Sequence, residues 1–406
     1  MNIQTHLFAN NIRLLHVHDN SEVAYAGVII NTGTRDELPN EEGYAHLTEH
    51  MLFKGTQKRN STQIINRIED VGGELNAYTS KEETVVYSVF LTKYLNSAVD
   101  VIVDIVFNSI IAQHELQKEV DVVIDEIHSY MDSPSELIVD DFENLLFNQY
   151  AIGRNILGTE ESLQKCTPES LKEFINRTYT TDEMVFFTLG NFSIEKVIRT
   201  LGKYIASIPA TKRTYARETP IDYVPTRVTL EKKTLQAHYI LGNRAYSMQE
   251  EKRFAFHLLN NIVGGQGMNS RLNMSLREKS GLVYTVESHY TPYSDTGLWT
   301  VYFGTDHTDV PQALRLIYKE IKKVKENQLS PIRLFKAKQQ LIAQMLIAGE
   351  NKENWIIAKA KHFLNFNSLM EQTEIEAKIM AISSSQLCDV ANECLQEEQF
   401  THLHYM

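Results

Sequence analysis

Two histidines and a glutamate lie within five consecutive positions of the sequence. His46, Glu49 and His50 belong to the segment Tyr44–Phe53. If this segment is helical, positions i, i+3 and i+4 share one face, so the three side chains point to one spot. Two imidazoles on one face suit a zinc ion, and a carboxylate beside them suits proton transfer. The alternative is a chance cluster on a solvated helix.

Two glutamates further along the chain share a helical face. Glu119 and Glu126 are seven positions apart in a segment, residues 115–130, that has helical periodicity. Seven positions correspond to two turns, so both carboxylates lie on the same side of the predicted helix. The segment also contains Asp121 and Asp125. From the residues alone, the two glutamates are interpreted as solvated surface side chains.

The composition excludes several classes of protein. A chain of 406 residues with 43% hydrophobic and 23% charged residues predicts a soluble globular protein of two or three domains. The formal net charge of −12 argues against a nucleic-acid partner. The three scattered cysteines fit a reducing compartment. No signal-peptide pattern opens the chain, and the most apolar short run, residues 101–107, is too short to span a membrane. A cytoplasmic protein without a membrane partner is therefore expected.

Helical and strand patterns alternate around these candidate residues. Asn40 is a candidate N-cap for the histidine helix. A polar, proline-bearing stretch near residues 210–225 predicts a linker between domains. Strands are predicted at 12–18, 23–30, 74–79, 84–91 and 184–189, and helices at 44–53, 61–71, 98–109 and 115–130.

The second half of the chain repeats the order of the first. With an offset of 211 positions, the segment 254–263 aligns with the histidine helix, and the later strands and helices follow in the same order. His257, Asn260 and Asn261 occupy the three motif positions of this second copy. Any metal is therefore expected in the first half only. The predicted organisation is a zinc-binding domain at 1–212, a linker at 213–225 and a homologous domain without metal at 226–406.

The segment from His46 to Thr56, His-Leu-Thr-Glu-His-Met-Leu-Phe-Lys-Gly-Thr, resembles the zinc motif of a known family. This is the pitrilysin-type, inverted-motif (H-x-x-E-H, inverzincin) zinc metallopeptidase family, which includes mitochondrial processing peptidase beta subunits and bacterial processing proteases. In it, a glutamate distant in the sequence completes the zinc ligands, and a supporting glutamate precedes it by one heptad. Glu126, 76 positions after His50, and Glu119 match these positions. The resemblance replaces the interpretation of both as solvated carboxylates.

Two further segments resemble the substrate-binding parts of that family. Asn76 and Ala77 lie in a segment that is similar to the edge strand that pairs with the substrate backbone. Residues 276–284 are similar to the second-domain segment whose arginine and tyrosine reach the bound peptide, which implies this role for Arg277 and Tyr284. Without the resemblance, Arg277 is interpreted as a surface helix residue and Tyr284 as a core strand residue.

The resemblance implies a fold and a site. The expected fold is α+β, with two duplicated α/β-sandwich domains, each a largely antiparallel sheet with helices packed on it, which form one half of a clamshell. One Zn²⁺ per chain is expected on His46, His50 and Glu126, with Glu49 as the general base that activates a zinc-bound water. Glu119 is expected to support catalysis by orienting a ligand histidine.

The implied activity is that of a zinc-dependent endopeptidase that cleaves unfolded peptides or exposed segments inside a closed chamber. Besides the peptide substrate, the expected partner is a second copy in a homodimer, and a heterodimer with a silent homologue is the alternative. A non-catalytic, peptide-holding or structural subunit of the same fold is the alternative function, and it predicts an eroded motif. A zinc hydrolase of non-peptide amides is disfavoured by the edge strand and the duplication. Cleavage specificity does not follow from the sequence.

Overall fold

The described chain, residues 3–406 of a computed structural model, forms two β-sheets with helices packed on their faces. The chain divides into two units, and each unit contains one sheet. Both sheets are largely antiparallel, which confirms the predicted α+β class. Within residues 3–406, no helix is both long and apolar enough to cross a membrane.

The sheet of the first unit has six strands. They are β1 (Ile3–Leu7), β2 (Arg13–His18), β3 (Val23–Ile30), β4 (Glu74–Thr79), β5 (Thr84–Leu91) and β6 (Met184–Gly190). The order across the sheet is β1-β2-β6-β3-β5-β4, in which β2 and β6 are parallel and the other pairs are antiparallel. β4 is therefore an edge strand. All five strands predicted in this half are confirmed, and β1 has no counterpart among them.

The helices include both elements that were expected to carry the site. In chain order they are α1 (Tyr44–Leu52), α2 (Ser61–Glu69), α3 (Leu95–Phe107), α4 (Gln113–Met131), α5 (Pro134–Leu146), α6 (Glu160–Gln164), α7 (Pro168–Thr178), α8 (Ile194–Ile205), α9 (Arg253–Gly264), α10 (Val310–Glu326), α11 (Pro331–Ala348), α12 (Lys352–Phe366), α13 (Gln372–Ala381) and α14 (Ser384–Cys394). The helix of the histidine motif is α1, and the acidic segment is α4.

Apolar side chains cover both faces of the first sheet. Leu14 and Val28 belong to the core that contains α3 and α8, whereas Leu15 and Ile29 pack against α12. Neighbouring residues of a strand point to opposite faces, so each strand contributes to both cores. This arrangement explains why every residue of β6 is buried.

The sheet of the second unit repeats the first. Its strands are β7 (Arg227–Leu230), β8 (Ala237–Ala245), β9 (Val283–Pro292), β10 (Gly297–Thr305) and β11 (Thr401–Tyr405). Their order, β7-β11-β8-β10-β9, matches β2-β6-β3-β5-β4, and β7 and β11 are parallel, as β2 and β6 are. The duplication of the domain is thus confirmed. The residue pattern of 228–239 predicts one continuous strand, but the structure has two separate strands there, β7 and β8.

Each unit contains one helical segment that comes from the other half of the sequence. The first unit runs to His128 and adds Arg154–Arg217 and Gly349–Leu369, so α12 covers its sheet although it lies late in the chain. The second unit contains Ser129–Gly153, and α5 covers its sheet. The units therefore differ from the contiguous ranges 1–212 and 226–406 in these two segments, whereas the boundary after Arg217 falls inside the predicted linker.

Candidate metal centre

Three donor atoms from α1 and α4 converge in the first unit. The Nε2 atoms of His46 and His50 lie 3.9 and 3.8 Å from Oε2 of Glu126. The three side chains offer ligand atoms that all lie within 4.8 Å of one another. Zinc bonds of about 2.0–2.1 Å in a tetrahedral site place donors roughly 3.3 Å apart, so a small contraction suffices. Two imidazoles and one carboxylate are also a known donor set of catalytic zinc. The residues present therefore fit zinc.

Packing between the two helices brings these donors together. Leu47 and Met51 of α1 share a buried apolar cluster with Leu116, Val120 and Val123 of α4. These α4 residues recur every three to four positions, which forms one stripe along the helix. Glu119 and Glu126 each stand three positions after a member of this stripe, so they border it on one side. The hydrophobic contact thus directs both carboxylates towards the histidines.

Glu119 joins His50 to Lys54. Its two carboxylate oxygens lie 3.2 Å from Nδ1 of His50 and 2.7 Å from Nζ of Lys54. The side chain is buried, so the interpretation of a solvated glutamate is wrong for Glu119. A proton on Nδ1 leaves the lone pair of Nε2 free for a metal, and the carboxylate favours that tautomer. Lys54 lies in the segment that carries the family resemblance, but no pattern in the sequence predicts its contact with Glu119.

The other histidine has a different environment. His46 is buried, and this burial lowers its pKa to about 4, with a smaller effect from His50. The imidazole is therefore neutral near pH 7, which is the form that binds metal. Its Nδ1 atom is buried and has no hydrogen-bond partner within residues 3–406. The protein therefore orients the two histidines in unequal ways.

Glu49 lies on α1 between the two histidines. Burial raises the pKa of this carboxyl, and the charge of Glu126 adds to the increase, whereas Thr79 and His50 oppose it. Thr79 is the last residue of β4. A carboxyl with a raised pKa is suited to accept and return a proton near neutral pH. The candidate base therefore lies next to one end of the edge strand.

The edge strand is exposed along one side. β4 pairs with β5 through Asn76 opposite Tyr87 and Ala77 opposite Val86. Asn76 is exposed and Ala77 is half-buried. An edge strand presents unpaired backbone groups that an extended peptide can bind by strand addition. This geometry allows the predicted role of Asn76 and Ala77.

A buried carboxylate that the sequence did not indicate caps the motif helix. The oxygens of Glu37 accept hydrogen bonds from the backbone N–H groups of Gly43 and Ala45, at 3.2 and 2.8 Å. Burial raises the pKa of Glu37 well above its usual range, although these bonds oppose the increase. The N-cap itself is Gly43, with φ of +91°, so the prediction of Asn40 as N-cap is wrong. The contact spans a tight turn, which side-chain patterns in the sequence do not reveal.

Arg277 and Tyr284 belong to the second unit. Arg277 lies in a π-helical turn (Asn273–Glu278) and is exposed. Tyr284 lies on β9, is 62% exposed and donates a hydrogen bond to Asp306 at 2.9 Å. The interpretation of Tyr284 as a core residue from its pattern is therefore wrong. The structure brings together the motif residues and the two glutamates, while the substrate role of Arg277 and Tyr284 stays a prediction.

The second copy uses its equivalent positions for internal contacts. The ring of His257 lies 4.5 Å from that of Tyr290. Oδ1 of Asn260 accepts a hydrogen bond from Nε1 of Trp299 at 3.1 Å. Within residues 3–406, His46, His50 and Glu126 form the one group of three or more side chains that could hold a metal. The prediction that a metal site is present in the first half alone agrees with this geometry.

The chain is similar to known proteins over almost all of its length. Residues 13–160 match the family described as "Insulinase (Peptidase family M16)", and residues 165–341 match "Peptidase M16 inactive domain". The candidate metal centre lies in the first range. The second range contains the copy whose motif positions carry His257, Asn260 and Asn261, which agrees with its description as inactive.

Individual relatives of the chain are named as proteases or peptidases. The chain is 32% identical to an uncharacterised zinc protease of Bacillus subtilis, over 92% of this chain and 90% of that protein. It is 28% identical to the mitochondrial-processing peptidase subunit beta of Saccharomyces cerevisiae, over 93% of this chain and 85% of that protein. A solved structure of a protease from Helicobacter pylori shares the fold, with a TM-score of 0.91, 20% identity and coverage of 100% of this chain and 99% of that one.

Proposed function

The chain belongs to peptidase family M16, and from that premise we propose that it is a zinc-dependent endopeptidase of the H-x-x-E-H type. The observation that carries the proposal is the convergence of His46, His50 and Glu126, with Glu49 beside them. Two imidazoles and a carboxylate would form the ligand set, and an adjacent carboxyl that does not belong to it can move protons. One zinc per chain is the expected stoichiometry.

Each residue of the site has a separate task. His46, His50 and Glu126 would hold the zinc, which lowers the pKa of a coordinated water to about 7 and polarises the scissile carbonyl when bound. Glu49 takes the proton of the attacking water and returns it to the leaving amine. Glu119 keeps a proton on Nδ1 of His50, so that Nε2 remains a ligand.

The edge strand indicates the class of substrate. A peptide that adds to β4 needs free backbone groups, which folded segments lack, so unfolded peptides and exposed segments are the proposed substrates. Asn76 and Ala77 would align the peptide backbone, and Arg277 and Tyr284 of the second unit would bind its carbonyl groups. Cleavage inside a closed chamber is part of this proposal.

We further propose that the chain forms a homodimer and acts in the cytoplasm. One chain carries both the zinc motif and the Arg277–Tyr284 segment, so two copies need no other subunit. A relative that is named as one subunit of a processing peptidase supports a heterodimer as the alternative. Light scattering should give a mass of twice the 46.6 kDa of the chain. Activity that appears only after a homologous second protein is added would favour the heterodimer.

Substitutions in α1 test the proposed chemistry. Purified protein should contain one zinc per chain and cleave a quenched peptide library until a chelator is added. Glu49→Gln should lower cleavage by at least about a hundredfold and keep the zinc, because it removes the proton acceptor and no ligand. His50→Ala should lose both. Metal analysis and the fluorescence of the cleaved library measure these results.

Two controls separate this activity from other outcomes. Glu69→Gln, at the exposed end of α2, should leave cleavage unchanged. Full activity of Glu49→Gln would contradict the assignment of the base. If the unmodified chain binds zinc and peptide but cleaves nothing under any condition, the non-catalytic peptide-holding alternative replaces the proposal.

A further inference from the structure

The turn that joins the edge strand β4 to β5 buries three charged side chains. Lys81, Glu82 and Glu83 are consecutive in this turn, residues 80–83, and each is at most 5% exposed. Loops between strands usually lie on the surface, where water solvates their charges. Burial of a charge is costly unless a partner compensates it. The partners of this turn therefore indicate what it does.

Partners that are distant in the sequence compensate the two carboxylates of the turn. Oε1 of Glu82 lies 2.7 Å from Nη1 of Arg35. Glu83 forms an ion pair with Lys361 of α12, which belongs to the same unit of the chain. Two separate parts of the first unit thus hold the turn by charge.

Arg217 joins the turn to the segment that precedes the motif helix. Its guanidinium donates hydrogen bonds to both carboxylate oxygens of Asp36, at 3.0 and 2.7 Å. Its Nη1 atom lies 3.5 Å from Oε1 of Glu82. Asp36 directly precedes Glu37, whose carboxylate binds the first N–H groups of α1. One guanidinium therefore contacts both the turn of β4 and the segment that caps α1.

Backbone contacts also hold the turn against this segment. The N–H group of Arg35 donates a hydrogen bond to the carbonyl oxygen of Lys81 at 2.8 Å. A Cβ atom on Gly33 would collide with the carbonyl oxygen of Ser80, so glycine is required for this close approach. The turn and the segment 33–37 therefore form one closely packed contact.

Stability alone does not account for the buried ion pairs. Apolar side chains of similar size often stabilise a protein equally well, because no charge has to be dehydrated. Apolar contact is not directional, whereas an ion pair that shifts leaves a buried charge without its partner. The ion pairs therefore fix position more strictly than apolar packing would. The position that they fix is that of β4 relative to α1, which pack against each other.

We propose that Arg217 and Lys361 are positioning residues, which hold the turn 80–83 so that β4 presents a peptide backbone at a fixed distance from Glu49. They act through the carboxylates of the turn and not by contact with the peptide. This role rests on the proposed peptidase function, which assigns β4 to the substrate. A loosely held β4 would align the peptide less well in the ground state and in the transition state alike, so it should raise KM more than it lowers kcat.

The variant Lys361→Met tests this role. Its KM for one quenched peptide should rise at least about fivefold, with kcat within about twofold of the unmodified protein. Without peptide, deuterium exchange of the backbone amides of 74–79 should become at least about fivefold faster, while exchange in β6 stays unchanged. Lys361→Arg keeps the charge and should restore both values. Arg217→Lys loses the planar fork that spans two carboxylates, so it should behave like Lys361→Met.

Lys352→Met is the matched control. Lys352 also lies on α12, and it pairs at 2.9 Å with Asp19, in the turn between β2 and β3. This variant removes an ion pair between α12 and the sheet but leaves the turn of β4 intact. It should therefore change neither KM nor the exchange of β4.

A double variant separates position from stability. Lys361→Met/Glu83→Leu also removes the buried carboxylate, so it should unfold at the urea concentration of the unmodified protein and still have the raised KM. A normal KM in the double variant, or equal KM and exchange in Lys361→Met and Lys352→Met, would overturn the assignment of the positioning residues. Absence of cleavage by the unmodified protein would contradict the peptidase function instead. The exchange rates, which need no cleavage, would then support or overturn the anchoring of β4.

Discussion

At the scale of single residues, the two histidines of the candidate metal centre differ in which contacts orient their rings. His50 is bound through Nδ1 to Glu119, which also pairs with Lys54. His46 relies on packing, since its Nδ1 atom finds no partner in the described part of the chain. A hydrogen-bonded carboxylate makes the opposite nitrogen a better metal donor. The affinity for zinc should therefore depend strongly on Glu119.

We predict that Glu119→Gln weakens zinc binding by about ten- to a hundredfold, the usual effect of losing such a supporting carboxylate. The amide carries no charge, and its NH₂ group can face the Nδ1 proton unfavourably. Competition with a fluorescent chelator measures the zinc affinity. Asp121→Asn, an exposed position on the same helix, is the matched control and should bind zinc normally. Unchanged affinity in Glu119→Gln would show that packing alone orients His50.

At the scale of elements, the start of α1 determines where the motif points. Gly43 adopts a left-handed conformation, and a Cβ atom there would lie 2.7 Å from the carbonyl oxygen of Leu157. Glu37 then binds the first N–H groups of the helix from a buried position. These contacts satisfy donors that have no partner inside a helix. A turn that precedes the motif thus supports the orientation of the motif helix.

We predict that Glu37→Ala lowers the free energy of unfolding by about 2–3 kcal/mol, because two hydrogen bonds to a buried carboxylate are lost. Asn40→Ala is the informative comparison. Sequence patterns indicate Asn40 as the N-cap, but the structure gives that position to Gly43, so Asn40→Ala should change the free energy by less than about 0.5 kcal/mol. Urea unfolding measures both values. A larger loss of the free energy of unfolding in Asn40→Ala than in Glu37→Ala would show that Asn40 caps the helix in solution.

At the scale of the whole molecule, each unit includes a helix from the other half of the sequence. The first unit includes α12, and the second includes α5. α12 covers the face of the first sheet that contains Leu15 and Val185, and α5 covers the face of the second sheet that contains Ile240 and Leu403. Neither sheet is fully covered by helices from its own half of the sequence. The two halves should therefore not fold independently when they are cut at the linker.

We predict that a fragment of residues 1–212 aggregates, because it lacks α12 and exposes an apolar face of the sheet. A fragment in which residues 154–217 follow His128 through a flexible linker, with 349–369 appended, should remain soluble. Size-exclusion chromatography and thermal unfolding compare the two fragments. Cooperative unfolding of a monomeric 1–212 fragment would contradict the prediction and would support the contiguous domain boundaries.

The sequence alone predicted most of the elements of the first half, the duplication and the candidate metal residues of the histidine motif. Helix and strand periods follow from local spacing, so α1, α4, β4 and β5 could be predicted closely. One helix carries His46, Glu49 and His50, so a pattern of five residues is enough to predict their chemistry. Glu126 needed the family resemblance, because a lone carboxylate on an acidic helix has no distinctive pattern.

Only the tertiary structure decided which surfaces meet. An amphipathic pattern shows that α12 buries one face, but it does not name the sheet that receives it, since apolar packing is not specific to a partner. The cap from Glu37 and the contact of Lys54 with Glu119 likewise join residues that no pattern in the sequence connects. These features follow from the packing of the chain.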